Sequence, residues 1–572
     1  TSVSVGTGLV KDRFSATAAS SNLQSRGYLD RATAKLHSFY FSTQYKMLDF
    51  KNNKDYGTLR FNLIYGNEKT GLAWNGTDPE TMKTDRRSNS CGEYYDDAGN
   101  MHYYDNETDN YQQTHYQLFY DFNRKKMYEK TSQLYQLTVG LHLTRGIGYY
   151  EQYKDNRKYS NYGLNPITDP VTGKELKKDL VSRKWLDNYF YGATVNFSDE
   201  IRFLNNNSML RWTIGGAVNQ YDGKHYGDVI WTEMASMTAP QYRWYNNTGN
   251  KLQTNVYGKI EYKPIPQLLV YGDIQYRYID FKVKGIDDNL RDLTNNYQWK
   301  NFLNPKVGLS YYIDKKLRNM LYLSFAVSHR EPTRSDIVDA PADRIPTAET
   351  MYDIELGYTL TTQKFAFNAN TYYMYYHNQL VLTGELNDVG DGMMTNVDKS
   401  YRTGIELAAS YRPARFFMWR INGTFSLNNI INYKNYVMDY DTGLYQEELL
   451  KNTPISFSPN IIAGNEFLFT PLKGFDISFL TKFVSAQYLD NRGDKNYKLP
   501  WYSVSNLQLS YTIETKPISS IKLFFAINNI FNYKYSANGS FYQYLEGGTL
   551  YQVDAYNPQA GINFMGGVTL RF

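Results

Sequence analysis

Side chains that change character at every second position commit this chain to strands before anything else is weighed. In 417–428 the odd positions read Phe417, Trp419, Ile421, Gly423, Phe425 and Leu427, and the even ones Met418, Arg420, Asn422, Thr424, Ser426 and Asn428. A period of two puts the first set on one face of a strand and the second on the other. Tyr189, Tyr191, Ala193, Val195 and Phe197 oppose Phe190, Gly192, Thr194 and Asn196 in the same manner, as do Leu321, Leu323, Phe325 and Val327 against Tyr322, Ser324, Ala326 and Ser328. Extended apolar runs at helical spacing are absent, so the fold class is all-β.

The connections narrow the architecture. Twenty-one strands are read, from 2–10 and 13–25 through to 520–529 and 561–572. Tight turns fall at Lys11–Asp12–Arg13, Lys263-Pro264-Ile265-Pro266, Thr362–Gln363, Pro413–Ala414–Arg415 and Pro471-Leu472-Lys473-Gly474, and they alternate with long stretches such as 67–110, 151–186, 224–250, 431–456 and 530–560. An antiparallel up-and-down meander with short turns at one rim and long loops at the other is the signature of a transmembrane β-barrel. A soluble sandwich or propeller also alternates, but has no reason to gather its long loops at one end.

Composition agrees. The chain has 56 Tyr, 30 Phe and 8 Trp, and tyrosine and tryptophan favour the boundary between lipid and water. Mean hydropathy is −0.59 and no apolar run reaches the roughly 18 residues of a membrane helix. Strands that face lipid on one side and a polar interior on the other average out in this way. The net charge of +5 comes without a basic block, so nucleic acid is not an expected partner. Cys91 is the one cysteine and can form no internal disulfide. No charged-then-apolar leader opens the chain.

Strand parity carries a further expectation. Large outer-membrane transporters have ~22 strands around a plugged lumen, and single-chain bacterial barrels have even numbers. Residues 2–10 run towards the short-turn rim like an even-numbered strand. Residues 1–572 are therefore expected to form the barrel domain, with a first strand and an N-terminal plug upstream. Strands 2–10 and 561–572 should each then have one ladder neighbour.

Enzyme signals are missing. There is no G-x-S-x-G elbow, phosphate loop or H-E-x-x-H, so no catalytic residue, metal ligand or cofactor is assigned. Gly6-Thr7-Gly8 and Gly146-Ile147-Gly148 read as strand glycines. His37, His142 and His329 read as polar lumen or rim residues.

Four segments carry a resemblance. Asn528-Asn529-Ile530-Phe531-Asn532-Tyr533-Lys534-Tyr535 and the ending Gly561 to Phe572, closing on an aromatic residue, are two. Ser328-His329-Arg330-Glu331-Pro332-Thr333-Arg334-Ser335-Asp336 with Glu349 and Tyr352 to Tyr358 is the third, and Tyr401-Arg402-Thr403-Gly404-Ile405-Glu406-Leu407 the fourth. Together they resemble the barrel of TonB-dependent outer-membrane receptors; the family's plug and energy-coupling box are not in this sequence. The resemblance implies a Gram-negative outer-membrane location. It also implies TonB as inner-membrane energy-coupling partner, the barrel assembly machinery and membrane lipid as further partners, and active uptake of a scarce nutrient. An iron–siderophore complex is the commonest cargo of that family, with cobalamin, haem, peptide and oligosaccharide as alternatives. A passive porin or an adhesive barrel are readings of another class.

Family ligands bind at the outer loops, and two stretches here are suited to a large aromatic or chelate ligand. Glu93-Tyr94-Tyr95-Asp96-Asp97, Ala98-Gly99-Asn100 and Met101-His102-Tyr103-Tyr104-Asp105 read as a small hairpin preceded by Arg86 and Arg87. Trp231, Trp244 and Tyr245 form the second candidate patch. The ligand residues are thus Arg86, Arg87, Tyr94, Tyr95, Tyr103, Tyr104, Trp231, Trp244 and Tyr245. The competing and more ordinary role is packing of these rings onto neighbouring loops. Tyr149, Tyr150, Tyr153, Tyr372, Tyr373, Tyr375 and Tyr376 are expected in an interface girdle. Asp96, Asp97, Asp105 and Asp109 cluster acidic oxygens without matching any defined calcium loop.

Overall fold

The computed structural model describes residues 1–49, 54–235, 241–341, 343–387 and 390–572. Among the described residues, 24 strands join one sheet, and two short pairs stand apart from it. Three of the 24, Leu444–Pro454, Ser536–Glu546 and Thr549–Pro558, sit in long connections. The remaining 21 correspond one for one with the strands read from the alternation.

Two compact units divide the chain: Thr1–Asn75, Ser88–Pro264 and Gly272–Asn304 form one, and Gly76–Arg87, Ile265–Tyr271 and Pro305–Phe572 the other. In the first, antiparallel registers tie six strands into transverse rows whose members share a face. One row reads Ala18–Phe41–Leu63–Tyr116–Leu143–Tyr191, and the next reads Ala16–Thr43–Phe61–Leu118–Leu141–Ala193. The opposite face reads Thr17–Ser42–Asn62–Gln117–His142–Gly192. One face is a sheet of exposed aliphatic and aromatic groups, with Leu141 51% exposed; the other is polar.

The second unit repeats the division. Leu309–Leu323–Leu356–Thr371–Ile405–Phe425 lie on one face, and Lys306–Ala326–Asp353–Met374–Arg402–Asn428 on the other. The facing expected for 417–428 holds. Trp419 sits opposite Phe467 on the apolar face, while Arg420 sits opposite Glu466 and pairs with it at 3.2 Å.

Short and long connections alternate along the strand order, as expected. The expected long loops are shorter than the sequence suggests. Thr131–Lys158 and Lys177–Phe203 pair as far as Lys158↔Lys177, so about half of 151–186 is strand. Ser208–Thr232 and Tyr242–Ile265 pair up to Val229↔Tyr242, which absorbs most of 224–250; residues 236–240 lie outside the described residues. Phe417–Asp439 pairs with Leu444–Pro454, and Ser536–Glu546 with Thr549–Pro558. Backbone pairing needs no apolar alternation, so strands continue where the pattern stops. At the two chain ends, Ser2–Gly6 pairs with residues 17–21, and Asn563–Arg571 with Ser520–Asn528.

Two of the sequence motifs have local causes. Asn529 and Asn532 both hold positive φ. The Asn529 amide group donates to the carbonyls of Tyr533 and Ala560 at 2.8 and 3.1 Å, and its oxygen accepts the Tyr533 amide at 2.9 Å. The strand Asn319–Arg330 rises to Pro332, and Thr333 caps the short helix Arg334–Val338 in a reciprocal box with Asp336.

Candidate functional site

The polar face is a connected surface. In the first unit Arg60 pairs with Asp121 at 2.7 Å, and Thr138 donates to the same carboxylate at 3.1 Å. His142 bonds Asn219 at 2.9 Å, His115 bonds Thr144 at 2.9 Å, and the Tyr257 hydroxyl donates to Asn196 at 3.0 Å. A recess of about 450 Å³ among Arg60, Asp121, Gln136 and Asn196 opens on this face. On the polar face of the second unit's own strands, Arg402 donates to Asn428 and Ser458 at 3.3 and 3.1 Å. Sequence reading anticipated polar lumen residues as a class without naming this network, because its partners lie up to 77 positions apart.

Tyrosines lie flat along this wall where the opposing strand offers glycine. A Cβ on Gly215 would stand 2.4 Å from the Tyr257 ring, and one on Gly357 would stand 2.0 Å from the Tyr322 ring. Each pair is directly opposite in register. That gives the glycine of Glu355-Leu356-Gly357-Tyr358 a packing reason. Gly357→Ala is expected to cost ~1–3 kcal/mol through overpacking. In a Tyr322→Ala background the cost should shrink by ~1 kcal/mol or more, the coupling of contacting residues. Equal costs in both backgrounds, measured by equilibrium unfolding, would remove Tyr322 from the explanation.

The expected hairpin exists. Glu93–Tyr95 pairs with Met101–Tyr103 in the register Glu93↔Tyr103, Tyr94↔His102, Tyr95↔Met101. Asp96 builds the turn by accepting from the Ala98 and Asn100 amides at 2.9 and 2.8 Å, and His102 reaches its other oxygen at 2.9 Å. The bond from His102 comes first among the contacts that hold the Asp96 carboxyl well below the usual range. Asp96 is thereby committed to the turn.

The structure brings Tyr94, Tyr104 and Trp231 together around Tyr153. Tyr94 stacks on Tyr153 with ring centroids 4.4 Å apart, Tyr104 lies at 5.7 Å and Trp231 at 6.1 Å. Tyr95 is exposed, its hydroxyl donating to Glu93 at 3.0 Å. Tyr103 carries the Arg31 guanidinium 3.5 Å above its ring. Trp244 and Tyr245 are buried instead, in a cluster with Tyr159, Leu164, Leu180 and Val229. Their patch is packing between strand ends rather than an open surface. Arg86 and Arg87 belong to the second unit, where Arg86 donates to the Tyr535 carbonyl at 3.0 Å and Arg87 is exposed.

Tyr153 is the residue that sequence reading placed elsewhere, in the girdle. It stands 12 positions beyond Leu141 on the same strand, roughly 40 Å further along at ~3.3 Å per residue. That distance exceeds half of a ~25 Å apolar band even for a steeply tilted strand, and was the available signal.

Two carboxylates fasten the segment carrying Tyr94 and Tyr104 to the strand wall. Glu151, 2% exposed, accepts from the Tyr104 hydroxyl at 2.5 Å, Asn106 at 2.6 Å and Arg183 at 2.6 Å. Burial, followed by the Glu151 carboxylate, pushes the Tyr104 hydroxyl far up. Glu107 accepts the Tyr153 amide at 2.8 Å. Burial raises its pKa to about 7, against the Tyr153 amide and the Lys154 charge. A carboxyl raised in the folded state contributes stability below its unfolded pKa and loses it as pH rises through the folded one. Protection factors of amides 93–107, relative to intrinsic exchange at each pH, should therefore be higher at pH 5 than at pH 8, and Glu107→Gln should flatten that difference. A profile unchanged by the substitution would assign the pH effect to another group.

The family described as TonB dependent receptor-like, beta-barrel matches residues 40–530. No curated protein matches the sequence. Among solved structures, the ferric citrate transporter FecA in its unliganded form aligns with a TM-score of 0.68 at 13% identity, covering 100% of this chain and 75% of that one. BauA, the ferric preacinetobactin receptor of Acinetobacter baumannii, aligns at 0.66 and 10% identity over 100% of this chain and 77% of its own. The ferric yersiniabactin uptake receptor FyuA of Yersinia pestis aligns at 0.62 and 13% identity over 100% and 77%. The apolar face is thus the lipid face, the polar face lines a lumen, and the chain belongs to the TonB-dependent receptor β-barrels of the Gram-negative outer membrane.

Proposed function

We propose that this protein takes up an iron–siderophore complex, capturing it at the outer loops and passing it along the polar lumen wall with energy supplied through TonB. The observation that carries the reading is the aromatic group of Tyr94, Tyr104, Tyr153 and Trp231 beside the exposed Tyr95. The rings offer aromatic surface to a planar, oxygen-rich chelate, with the Tyr104 and Tyr153 hydroxyls held by Glu151 and Asp179. The siderophore and ferric citrate proteins that share the fold lend the cargo class a precedent. A barrel this wide needs a plug to prevent leakage, and moving a plug needs work, which is TonB's part in the scheme. The barrel assembly machinery is the proposed partner for insertion.

The test is growth of a deletion strain on single defined iron sources, complemented by the intact gene and by Trp231→Ala with Tyr94→Ala. Loss of growth on one ferric siderophore, restored by the intact gene and not by the double variant, is expected. Undisturbed growth on every iron source, with uptake lost for cobalamin, haem, peptide or oligosaccharide, would replace the cargo. Diffusion of small solutes independent of TonB would make it a porin.

A further inference from the structure

Two hairpins in the long connections of the second unit merge into one small sheet. Phe417–Asp439 pairs with Leu444–Pro454, and its end runs parallel to Ser536–Glu546 through Met438↔Tyr544 and Asp439↔Leu545. Thr549–Pro558 adds the fourth strand. The registers set Tyr445, Met438, Tyr544 and Tyr551 in one row across the four strands. Tyr436, Tyr440 and Tyr542 stand two positions along their strands from that row, and so share its face.

The two faces of this sheet differ. On the far one Phe541 is 2% exposed among Leu489, Leu499 and Tyr556, and Gln543 accepts from Arg492 at 2.9 Å. The tyrosine face lies open, with Tyr440, Tyr542 and Tyr551 exposed by 62%, 47% and 43%. Tyr544 lies 5.1 Å from Tyr551 and 6.2 Å from Tyr542, its plane within 13° of both, and 5.2 Å from Tyr440. A contiguous patch of exposed rings marks an interaction surface, whereas a ring standing alone does not.

The molecule itself shows what such a face holds. Arg344, from the connection between Asn319–Arg330 and Glu349–Thr361, sets its guanidinium carbon 4.2 Å from the Tyr436 ring centroid and 3.9 Å from that of Tyr445. The rings around Tyr544 are the exposed continuation of that face. Charge points the same way. Segments 433–454 and 536–558 hold six carboxylates against Lys434 and Lys451, in a chain whose net charge is +5. Glu447 pairs with Lys434 at 3.1 Å, and Glu546 stands exposed beside Tyr544.

We propose that the face of Tyr440, Tyr542, Tyr544 and Tyr551 docks an extended, arginine-bearing segment of a polypeptide at the cell surface. Planar guanidinium groups stack on tyrosine rings, as Arg344 does, and the carboxylates around them balance the charge. The row from Tyr445 to Tyr551 crosses four strands, ~14 Å at ~4.8 Å per strand, which about four extended residues span at ~3.3 Å each. Alternate side chains of an extended segment recur every ~7 Å, close to the 6.2 Å between Tyr542 and Tyr544. This length selects a polypeptide over a single small cation. The proposal stands apart from the uptake reading, since it uses none of the rings of the first unit.

Fluorescence anisotropy of labelled oligo-arginine and oligo-lysine peptides, equal in length and charge, with the detergent-purified receptor tests this. Oligo-arginine is expected to bind about tenfold tighter than oligo-lysine, because the rings favour the planar cation. Tyr544→Leu/Tyr551→Leu, which keeps every carboxylate and the apolar bulk, should weaken oligo-arginine about tenfold and bring the two peptides together. Tyr128→Leu, at an exposed tyrosine of the first unit, should change neither. Equal binding of the two peptides by the unaltered protein overturns the proposal without any variant. Unchanged affinity in the double variant overturns the site. Displacement of oligo-arginine by arginine amide at matched guanidinium concentration overturns the polypeptide and leaves a site for a single small cation.

Discussion

Leu141→Arg should destabilise the folded barrel by ~2–4 kcal/mol, the cost of an arginine near the midplane on the lipid face. Leu141 is half exposed and stands between Leu118 and Ala193 in a row without a polar neighbour nearer than Thr43. No lipid headgroup or water is within easy reach of a guanidinium placed there. Thr194, on the neighbouring strand but the opposite face, should accept arginine with a change of ~0.5 kcal/mol or less, as an exposed polar site does. Equilibrium unfolding from lipid vesicles, followed by tryptophan fluorescence, gives both numbers. Similar costs for the two substitutions would show that the faces are misassigned.

The second large effect is expected at Glu151. Alanine there leaves Arg183, Tyr104 and Asn106 without their shared acceptor. Removing one partner of a buried charged pair costs about 3–5 kcal/mol. Arg183 keeps some access to water, with 27% of its side chain exposed, so the lower end applies, about 3 kcal/mol. Glu151 and Arg183 stand opposite each other on wall strands held by their own ladder, so the loss to 93–107 is that of the Tyr104 and Asn106 hydrogen bonds to a charged acceptor, about 1.5–3 kcal/mol each. At ~1.4 kcal/mol per tenfold, amide exchange in that segment should quicken by about 100-fold, with little change in global unfolding. Glu151→Gln retains an acceptor and should recover part of the protection. A barrel that unfolds as a whole in Glu151→Ala would show that the segment and the wall form one cooperative unit.

The membrane-crossing part of the fold was legible because lipid on one side and water on the other impose a two-residue rhythm. Leu321, Leu323 and Phe325 against Tyr322 and Ser324 needed no further information. The rhythm stops at the headgroups while the ladder does not, so Glu151 to Lys158 read as loop and are strand. The hairpin of Tyr94 and Tyr95 was legible from Asp96-Asp97-Ala98-Gly99-Asn100, whose turn geometry is local. Its contact with Tyr153 was not, since nothing near position 94 encodes a ring 59 residues away. Trp244 and Tyr245 misled for a related reason. A bulky ring in a connecting stretch can face solvent or fill the space between strand ends, and its immediate sequence is the same in both cases.

Strands that rise well past the apolar band make the outer surface a set of braced plates. Tyr153 and Trp231 are presented from paired backbone, and the hairpin of Tyr94 is bolted to that plate through Glu151 and Glu107. To a host's immune system, or to a phage searching for a receptor, such a surface is defined by residues far apart in the chain. Antibodies raised against linear peptides from 93–105 or 149–158 should bind the denatured protein and largely miss living cells. Those raised against the folded barrel should behave in the opposite way.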